Sequence, residues 1–178
     1  MEQIAAADNP FQLALRYAAA GNLIDFGSKN TFTQDDVTAL LDRVPDITFA
    51  LDDSAELLEQ IRSAQNIMYL GDNCGEIVLD KILIEQILQE NPNVQVTFGV
   101  RGGPIINDVT VEDAQQVGMD RVARVLPSGV AFRPPLLKTV LKSSSAPSTM
   151  LTLLSVRAWV TLRRLATAVV AAMCSSFL

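Results

Sequence analysis

The chain of 178 residues contains no histidine, which excludes the Ser/His and Cys/His arrangements of nucleophilic catalysis outright. Cysteine is almost missing. Cys74 and Cys174 stand alone with no paired or metal-like spacing, so neither a disulfide framework nor a zinc knuckle is indicated. Basic residues are scarce, 14 against 20 acidic ones for a formal net charge of -6. That balance argues against non-specific nucleic-acid binding, which needs clustered Lys and Arg. No G-x-G-x-x-G or P-loop pattern follows any apolar run, which weighs against a nucleotide-binding module. The start, MEQIAAADNPFQ, lacks a basic region followed by an apolar one, so no secretory signal is read and a cytoplasmic location is the default. One absence is local. All 20 acidic residues lie at or before Asp120, whereas residues 133–178 hold six basic residues and no acid. Such an abrupt compositional shift marks a boundary.

Apolar residues, by contrast, are plentiful. Hydrophobic content of 49% is enough for a real core, in one ordinary domain or a piece of a larger one. Pro10–Ala20 is apolar at helical spacing and ends at Gly21-Asn22, a normal helix stop. Thr33-x-x-Asp36 and Asp53-x-x-Glu56 resemble capping boxes, each opening a short amphipathic helix. Ile67–Leu70 reads as a buried strand, and Glu76–Gln89 as a helix with a broad apolar face at 77, 78, 79, 82, 83, 84, 87 and 88. Val94–Val100 is a second strand, Thr110-x-x-Asp113 caps a further helix closed by Gly118, and Arg121–Leu126 is a third strand. Strands alternating with helices at this spacing predict an α/β fold, a Rossmann-like parallel sheet flanked by helices. The organisation read is a helical N-terminal segment over 1–65, an α/β metal-binding core over 66–132 and a separate tail over 133–178, which leaves the sheet incomplete at its C-terminal side.

In parallel sheets, sites form at the carboxyl ends of strands. Both Leu70-Gly71-Asp72-Asn73 and the loop VRGGPIIND sit at that edge. Neighbouring strands lie about 5 Å apart, so Asp72-Asn73 and Asn107-Asp108 can converge. Two carboxylates and an amide oxygen form a hard, all-oxygen ligand set suited to Mg²⁺ or Mn²⁺ rather than zinc. Arg101 and the Gly102-Gly103 backbone could add anion recognition. Together these describe a metal-assisted site for phosphate chemistry. Asp and Asn are also common turn and cap residues, and Asp72 alone would read as a cap. The matching Asn-Asp pair on the next loop is what lifts the metal reading level with it. Glu76, Asp80 and Glu85 read as a solvated helix face, with Glu76, in the first turn, within reach of the site. Cys74 reads as a small turn residue rather than a nucleophile, because no histidine exists to activate it.

Three segments together, AGNLIDFG (20–27), GDNCGEIVLDKILIE (71–85) and VRGGPIINDVTVEDAQQVG (100–118), closely resemble the damage-control phosphatase family, which includes the acidic-residue-methyltransferase-like proteins and was long catalogued as a domain of unknown function. The match covers roughly Pro10 to Phe132 and looks closest to the prokaryotic branch. The resemblance implies a metal-dependent phosphatase of phosphorylated or damaged small metabolites, favouring Mn²⁺, with Co²⁺, Ni²⁺ or Mg²⁺ as alternatives. It implies Asp72, Asn73 and Asp108 as metal ligands, with Asp72 and Asp108 at the chemistry. Asn22 and Asp25 match a motif that borders the site and, with Arg101 and Glu76, are read on the substrate side. The resemblance leaves oligomeric state open. The alternative is a non-catalytic metal- or nucleotide-binding Rossmann-like module.

The sequence departs from the family in two places. Family members usually begin with a further helical region carrying Cys-x-x-Cys, and usually continue with Ser-Lys-Gly-x-Gly-Asn-Phe-Glu, whose lysine and asparagine help bind phosphate; neither motif is present here. The tail offers an explanation for the second loss. Trp159-Val160 must be encoded TGG-GTN, which spells glycine in the frame that takes each codon's third base and the next two. Around it, permitted codons for SVRAWVTLRRL (155–165) spell Ser-Lys-Gly-Met-Gly-Asn-Phe-Glu-Thr-Leu. The expectation is therefore that the frame slips by one nucleotide near Phe132 and that Arg133–Leu178 is out-of-frame translation, leaving a fragment with impaired activity. The competing reading takes the tail as a membrane-surface segment. Its apolar end, Leu165–Leu178, is 14 residues long, short of the ~20 needed to span a bilayer.

Overall fold

The structure is a computed structural model that describes residues 2–21, 33–49, 52–104, 107–127 and 151–154. Its helices are α1 (Glu2–Ala5), α2 (Pro10–Gly21), α3 (Gln34–Arg43), α4 (Ser54–Ser63), α5 (Ile77–Glu90) and α6 (Val111–Gln116). Its strands are β1 (Asn66–Leu70), β2 (Gln95–Val100), β3 (Arg124–Pro127) and β4 (Leu151–Leu154). The sheet runs β3-β2-β1-β4, with every neighbouring pair parallel. This is the predicted α/β, Rossmann-like architecture, in which β1 and β2 are joined through α5 and β2 and β3 through α6. The order reverses beside β1, the kind of switch point where such sheets open a crevice at their carboxyl edge.

Local chemistry explains most element boundaries. At α3, the Thr33 hydroxyl accepts from the Asp36 amide (3.2 Å) while Asp36 accepts from the Thr33 amide (2.9 Å), the reciprocal box that its spacing predicts. The same pairing of Thr110 and Asp113 opens α6. Both Asp36 and Asp113 are held below the usual carboxylate range by these bonds to Thr33 and Thr110. The box expected at Asp53 is not made. Asp53 has φ -105° and ψ 21° rather than the extended backbone of such caps and makes no side-chain capping bond. Asp52 instead accepts from the Ser54 amide at 3.0 Å. The third strand also starts later than predicted. Gly118, at φ 70°, ends α6 in the left-handed conformation that glycine accepts freely. A single 3-10 turn, Met119–Arg121, then buries Met119 before β3 begins at Arg124.

The core lies where α2 and α5 pack on each other and on β1 and β2, with Ile84, Ile87, Phe98 and Val100 at 1% exposure or less. Tyr69 and Phe98 sit directly opposite in the register of β1 and β2 and stack with ring centroids 5.7 Å apart. Asn91, at the end of α5, donates to the carbonyls of Ile61 (2.8 Å) and Ala64 (2.7 Å), satisfying the frayed end of α4. Just past β1 the backbone comes so close to the stacked rings that a Cβ on Gly71 would lie 2.5 Å from Phe98 Cζ. Only glycine fits there, because Phe98 is fully buried and has nowhere to go. Gly71→Ala is expected to lower unfolding free energy by about 1–3 kcal/mol, the usual cost of overpacking, read as a lowered urea midpoint. An unchanged midpoint would show that the ring yields freely.

Candidate metal and phosphate site

Beyond Gly71 the chain does not simply turn into α5. Gly71 N–H donates to the carbonyl of Gly99 at 2.9 Å, prolonging the β1–β2 ladder by one step. The loop after β2 then folds back onto this turn. Val109 N–H donates to Asp72 O (2.8 Å), Cys74 N–H donates to Asn107 O (2.9 Å), and Arg101 N–H donates to Val109 O (3.0 Å). The result is an isolated antiparallel bridge that pairs Asn73 with Asp108. Paired residues in such a bridge present their side chains to one face at close range. The convergence expected of Asp72-Asn73 and Asn107-Asp108 is therefore made by main-chain hydrogen bonds.

Each of the two bridged side chains is held by a charged neighbour. Arg101 Nε donates to Asp108 Oδ2 at 2.5 Å, with the Asp108 side chain only 15% exposed. Such a charge-assisted bond fixes the orientation of the carboxylate. Asn73 Nδ2 donates to Glu76 Oε1 at 2.9 Å, and both residues are buried. The predicted site residues thus meet in pairs: Arg101 is on Asp108 and Glu76 is on Asn73. Asn22 and Asp25 lie outside the described residues; at Gly21, immediately before Asn22, an added Cβ would lie 3.4 Å from Glu76 Cβ and Cγ.

Three expectations need correction or sharpening. Glu76 and Asp80 are not on a solvated face, since each is 4% exposed. They project one turn apart from the face of α5 that also carries Ile77, Leu83, Ile84 and Ile87. Glu85 does lie nearer the surface and pairs with Lys81 at 2.7 Å. The apolar face is also rotated from its predicted setting, because Val78 is 53% exposed while Gln86 is buried. The sequence carried a signal for this: Asp80 falls three residues after Ile77 and three and four before Leu83 and Ile84. Tyr69, read only as strand core, proves to have a polar role. Its hydroxyl donates to Asp80 Oδ1 at 2.5 Å, inside the protein.

The electrostatics follow from burial. Asp80 is pushed up to about 8 by desolvation, reinforced by the Glu76 and Asp72 charges and opposed by the Tyr69 hydrogen bond. Tyr69 is raised well above the ordinary phenol value, by desolvation first and the Asp80 charge second. Cys74 behaves as a turn residue. Its thiol contacts Asp113 Oδ2 at 3.4 Å and is pushed up to about 11 by burial and by that hydrogen bond, so it is protonated and a poor nucleophile near neutrality.

Whether these residues suit a divalent cation can be judged from the donors themselves. Among the described residues no group of three or more His, Cys, Asp or Glu side chains could hold a metal ion. The set offered here is different: two carboxylates, Asp72 and Asp108, and the amide of Asn73. All three are hard oxygen donors, and they fit Mg²⁺- or Mn²⁺-type ions. Among the described residues no helix is long and apolar enough to cross a membrane.

The raised Asp80 generates a pH dependence. Its folded-state value of about 8 exceeds its ordinary 3.8, so between those limits the folded chain binds more protons than the unfolded chain. The contribution of Asp80 to stability is then full below about pH 4 and falls as pH rises toward 8, with a slope on the order of 1 kcal/mol per pH unit. Asp80→Asn, measured by urea titration in chelator-containing buffers, is expected to flatten that slope. A wild-type slope of zero would refute the assignment.

Residues 1–153 match the family described as the damage-control phosphatase ARMT1-like domain. The chain is 38% identical over 130 residues to a damage-control phosphatase of Pyrococcus horikoshii, covering 73% of this chain and 44% of that protein. It is 31% identical over 123 residues to a damage-control phosphatase of Archaeoglobus fulgidus, covering 68% and 41%. A crystal structure of a DUF89 family protein from Pyrococcus horikoshii superposes with a TM-score of 0.64 at 38% identity, covering 72% of this chain and 44% of that one. The chain thus spans less than half the length of these relatives. On the family match and on these identities, the chain belongs to the damage-control phosphatase family with an ARMT1-like domain.

Proposed function

We propose that this chain carries part of the site of a metal-dependent phosphatase for phosphorylated or damaged small metabolites. The observation that supports the reading is the bridge between Asn73 and Asp108, which joins the Asp72-Asn73 turn to the Asn107-Asp108 loop. Relatives named as phosphatases support the class of reaction. Asp72, Asn73 and Asp108 would hold a divalent cation, Mn²⁺ first and Co²⁺, Ni²⁺ or Mg²⁺ as alternatives. When bound, such an ion polarises a phosphoryl oxygen and activates water for in-line attack. Arg101 holds Asp108 in position through Nε and supplies positive charge on the phosphate side. Glu76, read on the substrate side by family resemblance, accepts from the Asn73 amide next to the proposed ligands. Asn22 and Asp25 border the site by family resemblance.

Phosphate grip is the weak point. The family's Ser-Lys-Gly-x-Gly-Asn-Phe-Glu motif is absent from the chain, and a frame slip near Phe132 accounts for it. Within 133–178 only 151–154 are described, where β4 pairs with β1 through the main chain. Strand pairing of that kind asks little of side-chain identity, so it accommodates either origin of the segment. The nucleotide sequence across codons 128–140 tests the slip, and DNA unable to spell the lysine motif in the shifted frame ends the idea.

Calorimetric titration with Mn²⁺ and turnover of p-nitrophenyl phosphate test the activity together. The 178-residue chain is expected to bind Mn²⁺, to lose that binding by at least ~10-fold on Asp108→Asn, and to turn over substrate near background. Robust turnover would overturn the claim of impairment. ATP binding without Mn²⁺ binding would replace the phosphatase reading with a nucleotide-binding module.

A further inference from the structure

Every other donor proposed for the cation is a carboxylate, so the amide at position 73 calls for a physical reason. Asn73 Nδ2 donates to Glu76 Oε1 at 2.9 Å, and Glu76 N–H donates back to the Asn73 carbonyl at 3.1 Å. Two hydrogen bonds, one through side chains and one through the main chain, thus close the turn between β1 and α5. A carboxylate can only accept, so the amide must turn its nitrogen toward Glu76 and its oxygen away. Glu76 has little freedom to leave. It is 4% exposed, and the end of α2 leaves so little space beside it that a Cβ added at Gly21 would lie 3.4 Å from its Cβ and Cγ. Asp80 lies one turn further along α5, its Oδ1 occupied by the Tyr69 hydroxyl.

We infer that Glu76 is a positioning residue that sets the orientation of the Asn73 carboxamide and so aims Oδ1 as a cation ligand. This rests on the metal-dependent reading above. It explains the amide as well. An aspartate at 73 would set one carboxylate against another in a buried turn that already holds Asp72 and Asp80 nearby, and would leave Glu76 Oε1 without its donor. An asparagine keeps a ligand oxygen and gives Glu76 a donor. Outer groups of this kind orient ligands in many metal sites, and removing them costs about 10–100-fold in affinity. Arg101 performs the same service for Asp108, through Nε on Oδ2.

The test exchanges the charge between the two positions. In Glu76→Gln the volume is kept, but the residue at 76 can now donate or accept, so the Asn73 amide is free to turn over. Mn²⁺ affinity, measured by calorimetry on the full chain and by the paramagnetic resonance of free Mn²⁺, is expected to fall about 10–100-fold with the thermal midpoint nearly unchanged. Adding Asn73→Asp to that variant restores a donor–carboxylate pair in reverse, because the new glutamine can donate and the aspartate presents oxygen on both sides. The double variant is expected to recover most of the lost affinity. Asn73→Asp alone, opposite an intact Glu76, is expected to weaken binding. The effect of Asn73→Asp thus changes sign with the residue at 76, which a merely structural role for Glu76 does not produce. Wild-type affinity in Glu76→Gln overturns the inference, as does an equal gain from Asn73→Asp in both backgrounds. A wild-type chain that binds no Mn²⁺ overturns the metal reading and this inference with it, a result distinct from either of the others.

Discussion

The site depends on a short stretch of main-chain pairing between two loops that a parallel sheet would otherwise leave apart. Asp72–Cys74 and Asn107–Val109 exchange hydrogen bonds of 2.8 and 2.9 Å and close the Asn73–Asp108 bridge. Backbone groups at the end of a buried strand need partners in any case, and here that requirement is met by the loop that carries Asn107 and Asp108. The same bonds that satisfy the backbone therefore bring Asp72, Asn73 and Asp108 together. Gly71 makes the approach possible by leaving room for the Phe98 ring.

Behind the bridge lies an unusual concentration of buried acid. Glu76 and Asp80 stand on the inner face of α5, each 4% exposed, with Tyr69 on Asp80 and Asn73 on Glu76. Burying carboxylates without a cation is costly, and the fold manages it by hydrogen bonds and by raising Asp80 into the neutral range. Across the bridge, Asp108 is instead paired with the Arg101 guanidinium.

Much of the fold could be read from patterns that act locally. The capping boxes at Thr33 and Thr110, the left-handed stop at Gly118 and the strand–helix alternation arise from residues close in the chain. The departures have two causes, local backbone and burial. Asp53 failed as a cap because its backbone is not extended, and Glu76 and Asp80 were placed in solvent because acids usually are. For the two acids packing decided the outcome: Tyr69 of β1 gives Asp80 a partner, Asn73 in the preceding turn gives Glu76 one, and α2 packs on α5. Asn22 and Asp25 fall outside the described residues.

The sequence by itself determined the chemistry on offer: no imidazole, two carboxylates and an amide at the carboxyl edge of parallel strands, and motifs that identify the family. Hydrogen-bonding type and strand periodicity are properties of residues and their immediate neighbours, so they are legible without coordinates. Only the tertiary structure decided how each donor is held. That Arg101 donates to Asp108, that Glu76 accepts from the Asn73 amide, and that Asp80 is buried against Tyr69 depend on how the strands, turns and helix fold together. Burial sets whether an acid is a solvated charge or a structural hydrogen-bond acceptor, and burial is created by packing rather than by sequence position.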